Sequence, residues 1–305
     1  MSDRSSSPLP AAPSLVLASA GVLFASLCFG ALPFFARSLT EQGMPPHIIA
    51  FYRFTLAAVV LSPLLFLHRD KARAILWGMA AGALMGLGWI GYVSALRSAP
   101  VSVVGVLYMT YPVFTLLIAW VLFRDRPPLR AVWAAGLIVV AATIASGPGA
   151  VPAAALPALA ISLAAPLGFG FGITVLVYRL TVLPPLARIA AVSLGSVLGL
   201  LPLVMTTDAA AMVPNGGEGW LLLLGISLGT ALVPQLVYSV CSPMIGAART
   251  AVIGSIELPT MFAVGVIAFG ERISLAQAIA CALILAAIML SSQTRRTVAP
   301  HRAGP

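Results

Sequence analysis

The sequence predicts an all-α integral membrane protein with ten transmembrane helices, built as two inverted five-helix repeats. Three observations carry that prediction. Sixty per cent of the 305 residues are apolar and 8% charged, with a mean hydropathy of +1.05, whereas charged residues alone make up about a quarter of a soluble domain. Apolar runs long enough to cross a bilayer recur from one end of the chain to the other. Landmarks also repeat at a nearly constant offset. Gly78, Gly82 and Pro112 match Gly225, Gly229 and Pro259 at 147 residues, while Asp125-Arg126 and Leu137-Ile138 match Glu271-Arg272 and Leu283-Ile284 at 146.

In chain order, apolar periodicity and turn residues place spans at 15–36, 46–67, 74–96, 101–123 and 129–146, then at 156–179, 186–206, 219–241, 246–269 and 274–292. Pro45-Pro46, Pro127-Pro128 and Pro184-Pro185 separate spans, because proline ends a helix at or before the residue that precedes it. Residues 147–155, with Gly147-Pro148-Gly149, form the linker between repeat 15–146 and repeat 156–292. Residues 1–14, with Ser5-Ser6-Ser7, are expected to be a disordered tail, and 293–305 a second tail. The first apolar run is too long, and too little basic residue precedes it, for a signal peptide, so it is read as a retained span. Five spans per copy turn the second copy upside down in the bilayer. Inverted repeats of that kind are an architecture of secondary transporters, with the substrate near the midplane where the copies meet.

Charge sets orientation. Arg4, Arg69, Lys71, Arg73, Arg124, Arg126, Arg130, Arg179, Arg188, Arg295, Arg296 and Arg302 fall on the side of the termini, against Arg37, Arg97 and Arg272 on the other. Twelve against three predicts cytoplasmic termini. The net charge of +9 has no basic stripe interleaved with aromatics, so nothing points to nucleic acid. Cys28, Cys241 and Cys281 lie inside apolar runs with neither metal nor disulfide spacing, and read as packing residues. No Gly-x-x-x-x-Gly-Lys-Ser/Thr loop is present for ATP-driven pumping. Nor does any His pair or Ser/His/Asp set lie within the spans to suggest an intramembrane enzyme, and His47, His68 and His301 sit at edges or in the tail.

Two groups of residues carry a family likeness. Leu258-Pro259 precedes an apolar stretch ending Phe269-Gly270-Glu271-Arg272-Ile273-Ser274, and Tyr111-Pro112 precedes Phe123-Arg124-Asp125-Arg126-Pro127-Pro128. With Arg53 early in the second span, this doubled pattern resembles the EamA family of the drug/metabolite transporter superfamily over about residues 15–292. The first copy lacks the glycine and shortens the acid. The resemblance implies a secondary transporter, exporting small amphipathic metabolites such as amino acids by alternating access. Sugars, nucleosides and drug-like compounds stay open as cargo. It also implies that helices one to four and six to nine surround the cavity, with five and ten peripheral. No cofactor is expected. The partners implied are membrane lipid and a small-molecule substrate, with a homodimer left open.

Candidate substrate-binding residues are Glu257, Arg53, Trp89, Tyr92, Tyr111 and Tyr238. Glu257 stands near the middle of the ninth span, where ionisable groups are costly and face a cavity or a relay. Three roles are open to it: proton coupling, docking of an ammonium, or fixing helix packing. Its counterpart in the first copy is Thr110, so the pseudo-symmetry breaks there. Arg53 either snorkels to the headgroups or turns inward to a carboxylate. Arg249 is expected to snorkel or to steer substrate at the cytoplasmic mouth. Trp89, Tyr92, Tyr108, Tyr111 and Tyr238 either pack or line a pocket for a molecule with an apolar body and polar ends. Asp125 and Glu271 are expected to cap their own fifth and tenth helices. Gly78, Gly82 and Gly86 are spaced for close helix approach. Gly168, Gly170 and Gly172 read as packing or as a flexible stretch, and no helix is expected to be broken in mid-span.

Overall fold

A computed structural model of the chain describes residues 12–146, 151–245 and 247–292. The tail up to residue 11, the C-terminal tail and Gly147-Pro148-Gly149 lie outside them. Residues 12–14, expected in the tail, are already helical.

Among the described residues every element is a helix. Seven apolar segments are long enough to span a bilayer: α1 (Leu15–Glu41), α3 (Arg69–Ala95), α4 (Val101–Phe123), α6 (Ala153–Tyr178), α7 (Pro185–Met205), α8 (Gly216–Ile245) and α9 (Val252–Phe269). Three more apolar helices are shorter: α2 (Pro46–Leu61), α5 (Leu129–Ala145) and α10 (Leu275–Leu290). At 1.5 Å per residue these reach about 25 Å, short of a hydrocarbon layer of about 30 Å. Each of these helices, long or short, overlaps a predicted span, seven of them at spanning length. The second stops at Leu61 rather than 67, because Pro63 starts a separate turn, Pro63–Phe66. Ser274 and Gln277 form a capping box at the start of α10: the Gln277 N–H donates to Ser274 Oγ at 3.2 Å, and the Ser274 N–H donates to Gln277 Oε1 at 2.9 Å.

The surface is inverted relative to a soluble protein. Ile267 is 84% exposed and Leu275 78%, while Ser196 is fully buried. Ser196 Oγ donates to the Gly82 carbonyl at 2.7 Å, joining α7 to α3. A Cβ on Gly82 would stand 1.9 Å from the Val192 carbonyl oxygen, and one on Gly195 would stand 2.0 Å from that of Met79. Reciprocal glycines thus bring the two backbones into contact, the arrangement lipid favours because it offers no hydrophobic drive between helices.

Around this pair, α3 also packs on α6, α4 on α6 and on α9, α1 on α8 and α9, and α2 on α7 and α8. Helix α5 packs chiefly on α10. The connections gather on two opposite faces. On the far face, Arg97 Nη2 donates to the Met44 carbonyl at 3.0 Å and Asn215 Nδ2 to that of Gln42 at 3.2 Å, while His47 and Thr207 share a 2.7 Å hydrogen bond. On the near face, where α1 begins, Arg179 lies over the Trp77 and Phe123 rings, and Phe123 stacks on Tyr178.

Candidate functional site

Four helices are broken in mid-span, contrary to expectation. Helix α1 turns at Ala31, α4 at Met109-Thr110, α6 at Leu163 and α9 at Ser255-Ile256. Prolines 33, 112, 166 and 259 stand two or three residues past each break. Proline has no N–H to give, and its ring clashes with the carbonyl four residues back, so the preceding turn cannot continue. Each break starts a new half-helix in the interior, entered through a residue that stays in the right-handed helical region. Glu257 occupies the first turn of the α9 half-helix, Glu257–Phe269, where the dipole favours a negative charge. Thr110 precedes the matching α4 half-helix, Tyr111–Phe123.

Opposite these breaks lies Arg53, in the first half of α2. Its guanidinium carbon sits 3.9 Å from the centre of the Trp89 ring and 5.4 Å from that of Phe54. The side chain therefore turns inward instead of snorkelling. Its Nε and Nη1 are buried and have no hydrogen-bond partner among the described residues, and the buried Tyr92 hydroxyl has none there either. A chain of rings continues from Trp89: Tyr92 at 4.7 Å, Tyr108 at 5.6 Å, then Tyr111 at 5.8 Å from Tyr108. Phe169 of α6 closes it, edge-on to Tyr111 at 4.9 Å. Glu257 interacts electrostatically with Arg53 and with Tyr92, Tyr108, Tyr111 and Tyr238. Among the described residues Arg53 and Glu257 form no ion pair; the pairs present are those of Arg37 with Glu41 and Glu271.

The structure thus gathers Arg53, Trp89, Tyr92, Tyr111 and Glu257 in one place. Tyr238 approaches from another side, packed edge-on against Phe29 at 6.0 Å. Arg249 is exposed. Tyr108, read from the sequence as packing or pocket-lining, joins the wall, and so does Phe169, which was not among the candidates. The signal for Phe169 lay in its flanking glycines. A Cβ on Gly168 would meet the Leu84 carbonyl at 2.8 Å, and one on Gly170 would meet the Thr115 nitrogen at 2.9 Å. Packing, not flexibility, explains these glycines: they let α6 seat Phe169 between α3 and α4.

Chemically the cluster offers cationic donors without a partner among the described residues, a carboxylate at a helix start and an aromatic wall. That arrangement suits a small molecule with polar ends and an apolar body.

No curated protein matches the chain. Among solved structures, one described only as "Crystal structure of protein" superposes with a TM-score of 0.58, covering 91% of this chain and 98% of its own, at 19% identity. That is a likeness of fold. Residues 16–147 match the model of the EamA-like transporter family, the stretch that holds the first five predicted spans. That family belongs to the drug/metabolite transporter superfamily, and the match, together with the seven helices long and apolar enough to cross a membrane among the described residues, is what makes this chain similar to its members.

Proposed function

We propose that this protein is a ten-span secondary transporter of the cell inner membrane, exporting small amphipathic metabolites such as amino acids by alternating access. The observation that carries the reading is Arg53, a buried cation with donors unpartnered among the described residues, held over Trp89 and within electrostatic reach of Glu257. An ion taken out of water needs hydrogen-bonding partners, and a substrate carboxylate would supply them. The Glu257 carboxylate suits an ammonium at the other end of the same molecule.

The packing supports two inverted repeats. Exchanging each helix with the one five places along turns α3–α7 into α8–α2, α3–α6 into α8–α1 and α4–α6 into α9–α1, and every one of those contacts is made. The pairs α2–α7, α4–α9 and α5–α10 map onto themselves. The breaks obey the same rule, α1 with α6 and α4 with α9. Transporter repeats that rock about a midplane site use broken helices in this way. The excess of Lys and Arg on the near face supports cytoplasmic termini.

The test is uptake of a labelled amino-acid panel, aromatic members included, into proteoliposomes with and without an imposed pH gradient. Saturable uptake of some members is expected. A response to the gradient beyond equilibration would add proton coupling through Glu257. Failure of every member to enter would sink the amino-acid reading and redirect it to sugars, nucleosides or drug-like compounds.

A further inference from the structure

Glu271 does not cap its own helix. Its Oε1 accepts the Val101 N–H at 2.6 Å and an Arg37 Nη1 hydrogen at 2.9 Å. Its Oε2 accepts from the Ser102 N–H at 3.3 Å and the Ser102 hydroxyl at 3.2 Å. One carboxylate, 10% exposed, thereby ties the start of α4 to the ends of α1 and α9 on the far face. Arg37 also lies over the Phe269 ring at 4.3 Å. The capping box of Ser274 and Gln277 leaves Glu271 free for this work.

The corresponding turn on the near face is built differently. Both turns reverse through a left-handed residue, Gly270 at φ 63° and Arg124 at φ 56°. Both close with the same backbone bond, the Glu271 N–H to the Gly265 carbonyl and the Asp125 N–H to that of Ala119. At Gly265, however, a Cβ would stand 2.5 Å from Glu271 Oε2, so the carboxylate folds into space that only a glycine leaves open. Ala119 already has that Cβ, and Asp125 is one methylene shorter. Asp125 instead accepts a hydrogen bond from the Tyr178 hydroxyl.

We propose that Glu271, with Arg37 and Gly265, is a one-sided latch that holds the far face closed and sets the resting conformation of the protein. The proposal rests on the alternating-access reading above. The latch joins half-helices that move against one another in such a cycle, so the far side opens only when the carboxylate releases Val101 and Ser102. Ala119 fills the space that Gly265 leaves open, and among the described residues the near face shows no equal hold, so the empty protein rests open or readily opened there.

Val104 lies one turn inside the latch and is 1% exposed, so Val104→Cys reports far-side opening. The test places it in a chain whose Cys28, Cys241 and Cys281 are replaced by Ala. Alkylation by a membrane-impermeant maleimide, added to either side of oriented proteoliposomes without substrate, is then timed. Glu271→Gln should raise the far-side rate roughly tenfold or more, the order that a hydrogen bond to a charged group carries. Gly265→Ala, which displaces the carboxylate while keeping every charge, should do the same, and Ala119→Gly should not. If Glu271→Gln and Gly265→Ala both label at the parent rate, or if labelling rises equally from both sides, Glu271 is a static brace and the proposal falls. A raised far-side rate in protein that moves no member of the amino-acid panel upholds the latch and counts against the transport reading alone.

Discussion

Arg53 stacks on Trp89 with its guanidinium carbon 3.9 Å from the ring centre, and two of its nitrogens are buried without a hydrogen-bond partner among the described residues. The ring face offsets part of the cost of burying the cation but accepts none of its hydrogen bonds in the plane of the guanidinium. Those in-plane directions are the ones a carboxylate fills with two parallel bonds.

Arg53→Gln should therefore raise the KM for carboxylate-bearing substrates by about tenfold or more, the scale of one lost charge-assisted bond. Arg53→Lys should recover little, since an ammonium neither stacks on indole as a plane nor offers the forked pair of donors. Proteoliposome uptake kinetics on both variants check this, and full activity in Arg53→Lys would argue for a plain point charge.

Glu257→Gln should separate the two ends of the substrate. Uptake of an amino acid should weaken by about tenfold or more, while a carboxylic acid lacking the amino group should bind as before or better. Competition of such analogues against a labelled amino acid measures this. Equal losses for both compounds would place Glu257 in helix packing instead.

Trp89→Leu keeps an apolar wall but removes the ring face beneath Arg53. With cation–π contacts worth about 0.5–2 kcal/mol, affinity should fall by roughly twofold to thirtyfold, provided the loss acts on the substrate-bound form. Binding measured by calorimetry in detergent, alongside uptake, checks the range. In the parent protein, substrate arrival should also change the Trp89 emission.

Gly195→Ala should lower the thermal stability of the detergent-solubilised protein. The added Cβ would stand 2.0 Å from the Met79 carbonyl oxygen, and backbone, unlike a flexible side chain, does not move aside. The two helices would part and weaken the Ser196–Gly82 bond. Overpacking costs about 1–3 kcal/mol, so a melting point several degrees lower is expected. An unchanged melting point would show that α3 and α7 do not need this contact.

Much of this was legible in advance, and for identifiable reasons. Span positions follow from apolar length, which a bilayer enforces residue by residue. The site candidates were legible because charge and phenol are rare in mid-span, so Arg53, Glu257 and Tyr111 stood out one at a time. The breaks were signalled but not read. Prolines 33, 112, 166 and 259 lack flanking glycines, and proline inside a span is compatible with a kinked continuous helix as well as a true restart. Glu271 misled for a related reason. An acid just before a helix ordinarily caps that helix, and nothing local says that Ser274 and Gln277 have already done so.

By itself, then, the sequence determined that this chain is an all-helical membrane protein and where its apolar segments lie. These properties depend on composition and on spacing along the chain, because lipid acts on each segment alone. Only the tertiary structure decided that Arg53 faces Trp89 and not the headgroups, that Phe169 closes the aromatic wall, and that Glu271 reaches across to Val101 and Ser102. Those contacts join residues from 36 to 170 positions apart. They depend on how closely α3 approaches Gly168 and on the space that Gly265 leaves for the Glu271 carboxylate, quantities that no single segment contains.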